Sequence, residues 1–284
     1  MANPDPTAQS TTSGYVYISD AARGSRFFDL KELWAYRELL WVLTARDIKV
    51  RYKQTVLGIA WAVIQPVMIM IVFSIFFGRL AKIPSEGYPY PVFVYAGLLP
   101  WTFFANAVSQ SSNSIVSSTH LITKVYFPRL IIPLSSIGAG LVDFLISTLI
   151  LLLLMLYYSV PFTSNLLCAP FLLLAVIFMA LGFGAWLAAL NVAFRDFRYV
   201  VPFMIQIWLF ITPVIYPANL IPNDWHWLYY LNPMAGLIEG FRSAFLGKPF
   251  DITGPAISFS VAIACFMIGV WYFKRVERRF ADII

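Results

Sequence analysis

Apolar runs of membrane length alternate with short charged breaks along this chain. The pattern is sharpest in the middle. An apolar run over 166–190 is followed by Asn191-Val192-Ala193-Phe194-Arg195-Asp196-Phe197-Arg198-Tyr199, and then by a second hydrophobic run carrying Pro202, Pro213 and Pro217. A charged break this short between two such runs predicts a tight turn at a membrane face. Arg195 and Arg198 indicate the cytoplasmic face, because short cytoplasmic loops are enriched in Lys and Arg. Three prolines in one span are tolerated where neighbouring helices or a water-filled path satisfy the freed carbonyls. A kinked structural helix and a helix lining a pathway both fit.

The same pattern gives six spans, near 57–78, 91–108, 131–158, 166–190, 200–216 and 255–273, and so an all-α integral membrane protein. A hydrocarbon core takes about 20 residues of helix, so the second and fifth spans are short and are expected to extend into polar flanks. With the N-terminus inside, sixteen of the 20 basic residues fall on the cytoplasmic side, leaving Arg79, Lys82, Arg242 and Lys248 outside. Both termini are then cytoplasmic. The composition agrees, with 60% hydrophobic and 12% charged residues and a mean hydropathy of +0.75. The net charge of +6 follows from loop orientation and does not call for nucleic acid. Cys168 and Cys265 sit inside apolar runs, so no disulfide is expected. Residues 1–28 hold no apolar core of a signal peptide and read as a disordered tail.

Residues 29–56 differ in kind. Asp29 and Glu32 resemble a capping pair, and Leu30, Leu33, Trp34, Leu40, Trp41 and Ile48 recur at helical spacing with charges between them. This predicts an amphipathic helix in the headgroup plane. Arg46, Lys49, Arg51 and Lys53 cluster just before the first span. They serve as a positive-inside anchor and, on the sharper reading, as a site for an anionic headgroup.

Other stretches carry candidate functions. The polar, uncharged segment 109–119 is either a linker or a helix end facing a hydrophilic passage. Residues 120–129, with Lys124, Tyr126, Phe127 and Pro128, predict a short cytoplasmic helix with an exposed aromatic face, for docking or for interfacial anchoring. Residues 217–250, with Trp225, Trp227, Tyr229 and Tyr230 before Asn232-Pro233, read as a re-entrant helical hairpin or as two helices on the outer surface. Asp143 is the one carboxylate inside a long span and should face the bundle interior or water, as a hydrogen-bonding group or a substrate contact. Ala180, Gly184 and Ala188 form a small-residue stripe for close helix packing.

Enzymatic chemistry finds little footing. His120 and His226 are far apart, with no metal-ligand spacing. Gly247-Lys248 is followed by Pro249, and Arg242 stands where a phosphate-binding loop needs glycine. Nucleotide hydrolysis must then come from a partner. No paired carboxylates or nucleophile–base set points to a membrane enzyme.

Taken in order, the motifs resemble those of type-2 ATP-binding-cassette exporter permeases, in particular the bacterial permeases that export lipid-linked O-antigen and related polysaccharides. They are Arg46-Asp47-x-x-x-Arg51-Tyr52-Lys53 with Leu57-Gly58 and Trp61; Gly97-Leu98-x-Pro100-Trp101; Lys124-x-x-Phe127-Pro128; Asn191-x-x-Phe194-Arg195-Asp196; Pro213-x-x-Tyr216; and Asn232-Pro233. The resemblance implies a homodimer of six-span subunits in the bacterial inner membrane. It implies two copies of a separate ATPase that bind ATP and Mg, with no cofactor in this chain. The region 57–284 would be the permease domain, 117–129 the coupling helix (Lys124, Tyr126, Phe127), and 217–250 a hairpin closing the periplasmic exit (Trp225, Trp227, Tyr230). The substrate would be a glycan on a polyprenyl diphosphate within the membrane lipid. Arg46, Arg51 and Lys53 would hold its diphosphate, and Trp61, Trp101, Ser112, Asp143 and Tyr216 would line its path. Permeases for capsule, teichoic acid, drugs or lipids, and a non-transport membrane enzyme or scaffold, are the alternatives.

Overall fold

The computed structural model describes residues 30–53, 60–222, 229, 231–250, 252–277 and 280. The tail over 1–28, Asp29, Leu57 and Gly58 lie outside them. All regular structure among the described residues is helical. Helices α1 (Leu30–Ala35) and α2 (Arg37–Lys53) precede α3 (Ala60–Phe73), which runs on as a π-helical stretch over Ser74–Leu80. Then come α4 (Tyr90–Ser117), the short α5 (Thr119–Ile122) and α6 (Ile131–Tyr157). A 3-10 turn, Ser164–Cys168, leads into α7 (Ala169–Ala193), followed by α8 (Phe197–Ile211), α9 (Pro233–Leu246) and α10 (Thr253–Glu277).

Among the described residues, five helices are long and apolar enough to cross a membrane: Ala60–Leu80, Tyr90–Ser117, Ile131–Tyr157, Ser164–Ala193 and Thr253–Glu277. The second of them outruns its expected end at residue 108, because its polar tail stays helical. Ser112, Ser114 and Ser117 each return their hydroxyl to the carbonyl three residues back, at 2.8, 2.7 and 3.0 Å. The segment 109–119 is therefore mostly a helix end. The fifth expected span is shorter than its apolar run. Helix α8 has 15 residues, about 22 Å of rise. Thr212 takes an extended backbone ahead of Pro213, whose missing N–H and ring cannot continue the helix.

Helix α4 is the centre of the bundle, with α6, α7 and α9 packed around it. Close approach is set by small residues. The Ala180–Gly184–Ala188 stripe is buried, and a Cβ at Gly184 would collide with Ser111 of α4 at 2.5 Å. A second face of α7 is equally tight. A Cβ at Gly182 would lie 2.6 Å from the Cys265 backbone, and one at Gly269 would strike the Gly182 backbone, so α7 and α10 touch main chain to main chain. Helix α3 is different: most of its surface, including Trp61, Met68 and Val72, stays exposed on the single chain.

Helix α2 lies on α6. Leu43 and Thr44 are buried there, and Trp34 and Trp41 point away into the surroundings.

Candidate functional site

A cavity of about 280 Å³ opens between α3, α4 and α6 at the end of α2. Trp61 and Gln65 line it from α3, Trp101 and Asn106 from α4, Asp143 from α6 and Arg51 from α2. Arg51, Tyr52 and Asp143 of its wall form a four-residue network with Gln110 of α4. Arg51 donates through Nη1 to Oδ2 of Asp143 and through Nη2 to Oε1 of Gln110. The Tyr52 hydroxyl donates to Oδ1 of Asp143. Burial, and then this bond to Asp143, push the Tyr52 phenol well above its ordinary range and keep it a donor.

The network explains how a carboxylate survives in an apolar span. An unpaired Asp143 would be costly. The last turn of α2 supplies a guanidinium and a phenol from 92 and 91 residues away, so both carboxylate oxygens are satisfied. The pair is not sealed: the Arg51 and Asp143 side chains remain 24% and 25% exposed. An ion pair open to a cavity can exchange partners, whereas a sealed one cannot without leaving a bare buried charge.

The remaining cations of α2 behave differently. Arg46 bonds its neighbour Asp47 at 2.8 Å, and Asp47 in turn accepts from Ser135 of α6 at 3.4 Å. Lys53 is exposed. Arg51, Trp61, Trp101 and Asp143 thus line one cavity. Ser112 does not join them. It is fully buried against α7, and its carbonyl accepts from Asn191 Nδ2 at 3.0 Å. Trp101 extends the cavity wall inward, its ring 6.3 Å from Trp208 of α8, which stacks edge-on to Phe104 at 5.2 Å.

The segment after α4 carries one correction. The expected helix over 120–129 is limited to Thr119–Ile122, and its aromatic pair is split. Tyr126 is 85% exposed, whereas Phe127 is only 4% exposed and belongs to the core. Pro128 turns the chain inward, and Arg129 pins it. The Arg129 N–H donates to Glu277 Oε1 at 3.0 Å and its guanidinium to the Glu277 carbonyl. Lys124 and Tyr126 stay on the surface; Phe127 is an anchor.

Tyr216 lies at the other end of α4, beside a residue that the charge pattern places only on the outer side. Arg242 is completely buried, its guanidinium 3.9 Å from the Phe93 ring centroid. The available signal was its setting within Pro233–Leu246, a helix of small and apolar residues unlike a loop. Trp225, Trp227 and Tyr230 lie outside the described residues.

Residues 38–246 match the family model described as ABC-2 type transporter. Among curated proteins, the O-antigen export system permease protein RfbA of Myxococcus xanthus is 30% identical over 260 residues, covering 90% of this chain and 98% of that protein. A protein of the same name from Klebsiella pneumoniae is 29% identical over 248 residues, covering 87% and 95%. The polysialic acid transport protein KpsM of Escherichia coli is 26% identical over 211 residues, covering 71% and 79%.

Proposed function

Because the chain belongs to the ABC-2 type transporter family, a family of membrane permeases and not of enzymes, we propose that it is the membrane subunit of an ATP-driven exporter of lipid-linked, O-antigen-type polysaccharide. The names and near-complete overlap of the RfbA relatives support this cargo. The observation that carries it in this chain is the cavity that Arg51 lines together with Trp61 and Trp101. A diphosphate calls for a planar, bidentate cation. A glycan calls for aromatic faces and hydroxyl partners beside it. The similarity to KpsM favours a different polysaccharide as the second reading.

The subunit works as a homodimer in the bacterial inner membrane, with two copies of a cytoplasmic ATPase that bind ATP and Mg. The largely bare surface of α3 and the aromatic face of α8 at Tyr199, Phe203 and Phe210 are consistent with a second copy and lipid around them. Six spans, counting α8, leave both termini cytoplasmic, with α1 and α2 as the interfacial amphipathic helix. Lys124 and Tyr126 dock on the ATPase, with Phe127 holding their segment to the bundle. On the periplasmic side α9 packs against α4, and Tyr216 borders the exit there.

In the resting subunit Asp143 and Gln110 occupy the Arg51 fork. The incoming diphosphate takes that fork from Asp143, while Arg46 and Lys53 on the exposed side of α2 draw the anion in. The test is Arg51→Lys against wild type at equal protein levels, in export and in substrate-stimulated ATPase activity. Lysine keeps the charge and loses the fork, so both activities are expected to fall at least tenfold. Unchanged activity would reduce the cluster to a membrane anchor.

A further inference from the structure

Helix α8 ends where Thr212 and Pro213 break it, and the last carbonyls of a helix have no partner of their own. Three successive carbonyls after this break are taken up by other elements. Arg242 of α9 donates to the Val214 carbonyl at 2.6 Å and to the Tyr216 carbonyl at 3.2 Å. Between them, the Ile215 carbonyl accepts from the Tyr90 hydroxyl of α4 at 2.9 Å. Arg242 has no exposed surface. A guanidinium so deep needs compensation for its lost hydration. It obtains this from the two carbonyls, from the Phe93 ring face and from Glu239 at 3.5 Å.

A second set of bonds joins the same two elements. Asn232 caps α9, accepting from the Met234 N–H at 3.2 Å. The same side chain accepts from Trp208 Nε1 at 3.0 Å and donates to Thr212 Oγ1 at 2.9 Å. The cap of α9 is therefore also a tie to the last turn of α8. Room for the joint comes from Gly97 of α4, where a Cβ would lie 3.0 Å from both Arg242 Nη2 and the Val214 carbonyl.

We propose that Arg242, with Asn232, is a positioning residue that makes the broken end of α8 and helix α9 a single moving part of the transport cycle. Any displacement of α8 during the ATPase cycle then reaches α9 undiminished. The two carbonyls and the ring face require the guanidinium's plane and its spread of donors. A lysine ammonium has three donors at one point on a thinner stem, and cannot span Val214 and Tyr216 while covering Phe93. A purely local anchor would stabilise the fold without constraining how α8 and α9 move together.

The joint predicts a distance that stays constant. Spin labels at Phe203 on α8 and Leu231 ahead of α9, both exposed, are placed in a background lacking Cys168 and Cys265. The chain is purified with its ATPase in nanodiscs, and the distance distribution is measured without nucleotide and with a trapped ATP analogue. With the doubly labelled chain diluted into excess unlabelled chain, so that each homodimer carries one labelled pair, wild type is expected to give one narrow distribution, unchanged between the two states. Arg242→Lys is expected to broaden it at least twofold in the trapped state and to uncouple ATP hydrolysis from export. Should Arg242→Lys fail to fold, Thr212→Val, which removes the Asn232 amide's bond to the last turn of α8 and leaves Arg242 in place, is expected to broaden it in the same sense. A wild-type distance that shifts between states, or variants that keep the narrow distribution, would overturn the proposal. The distance does not depend on the cargo, so it stands apart from the export assay on Arg51.

Discussion

Arg51 and Asp143 lie 92 residues apart in the chain and form an ion pair at a cavity between three spans. The pair ties α2 to α6 and neutralises the carboxylate that α6 carries within its apolar run. Its stability role is separable from its proposed transport role. Asp143→Ala leaves Arg51 facing the cavity without its carboxylate. A fully buried pair broken in this way costs roughly 3–5 kcal/mol; here about 2 kcal/mol is expected, because both side chains keep partial solvent contact. Asp143→Asn, which retains hydrogen bonds and loses charge, should cost about half as much. Thermal unfolding of the purified chain in detergent measures both.

Tyr126 and Phe127 are neighbours in sequence with opposite surroundings, so single substitutions should separate docking from folding. Tyr126→Ala is expected to change stability by less than about 0.5 kcal/mol and to reduce recovery of the ATPase in a pull-down. Phe127→Ala removes a buried ring and should cost roughly 3–5 kcal/mol. A combined substitution would confuse the two effects. Equal loss of stability in both single variants would place Tyr126 in the core.

Gly97 should resist even the smallest side chain. A Cβ there crowds Arg242 and the Val214 carbonyl at 3.0 Å each. Gly97→Ala is expected to destabilise by about 1–3 kcal/mol, as for other overpacked sites. Gly87, with no atom within 4 Å of its would-be Cβ, is held instead by its positive φ of 86°. The contrast can be followed by thermal unfolding, with Gly97→Ala losing stability through contact and Gly87→Ala through backbone strain.

Orientation is open to a direct check. Cysteines introduced at Ser85 and Arg198 should differ in reaction with a membrane-impermeant maleimide added outside intact cells. Ser85→Cys is expected to label and Arg198→Cys to remain unlabelled until the membrane is permeabilised. Labelling of Arg198→Cys from outside would reverse the topology.

Much of the helical layout is legible in the sequence, because an apolar run of membrane length admits few structures. Helix ends are less so. The chain leaves α8 at Ile211, before its apolar run ends, because Pro213 acts locally where the run does not. It stays in α4 to Ser117 although the run has ended, because serine hydroxyls can return to their own helix. The cavity was partly legible: Arg51, Trp61, Trp101 and Asp143 stood out by residue type. Their meeting was not, since nothing local couples α2 to residue 143. Arg242 counts in the sequence only as a basic residue on the outer side. Its burial is not legible there, because it depends on carbonyls freed elsewhere by Pro213.

Polysaccharide export itself can be followed in a reconstituted membrane. The chain is co-purified with its ATPase, reconstituted in proteoliposomes with the polyprenyl-diphosphate-linked glycan labelled at its sugar end, and supplied with ATP on one side. ATP-dependent movement of the label to the opposite leaflet is expected, together with a rise in ATP hydrolysis that Arg51→Lys abolishes. Hydrolysis indifferent to the glycan, with the label remaining on its original side, would contradict it.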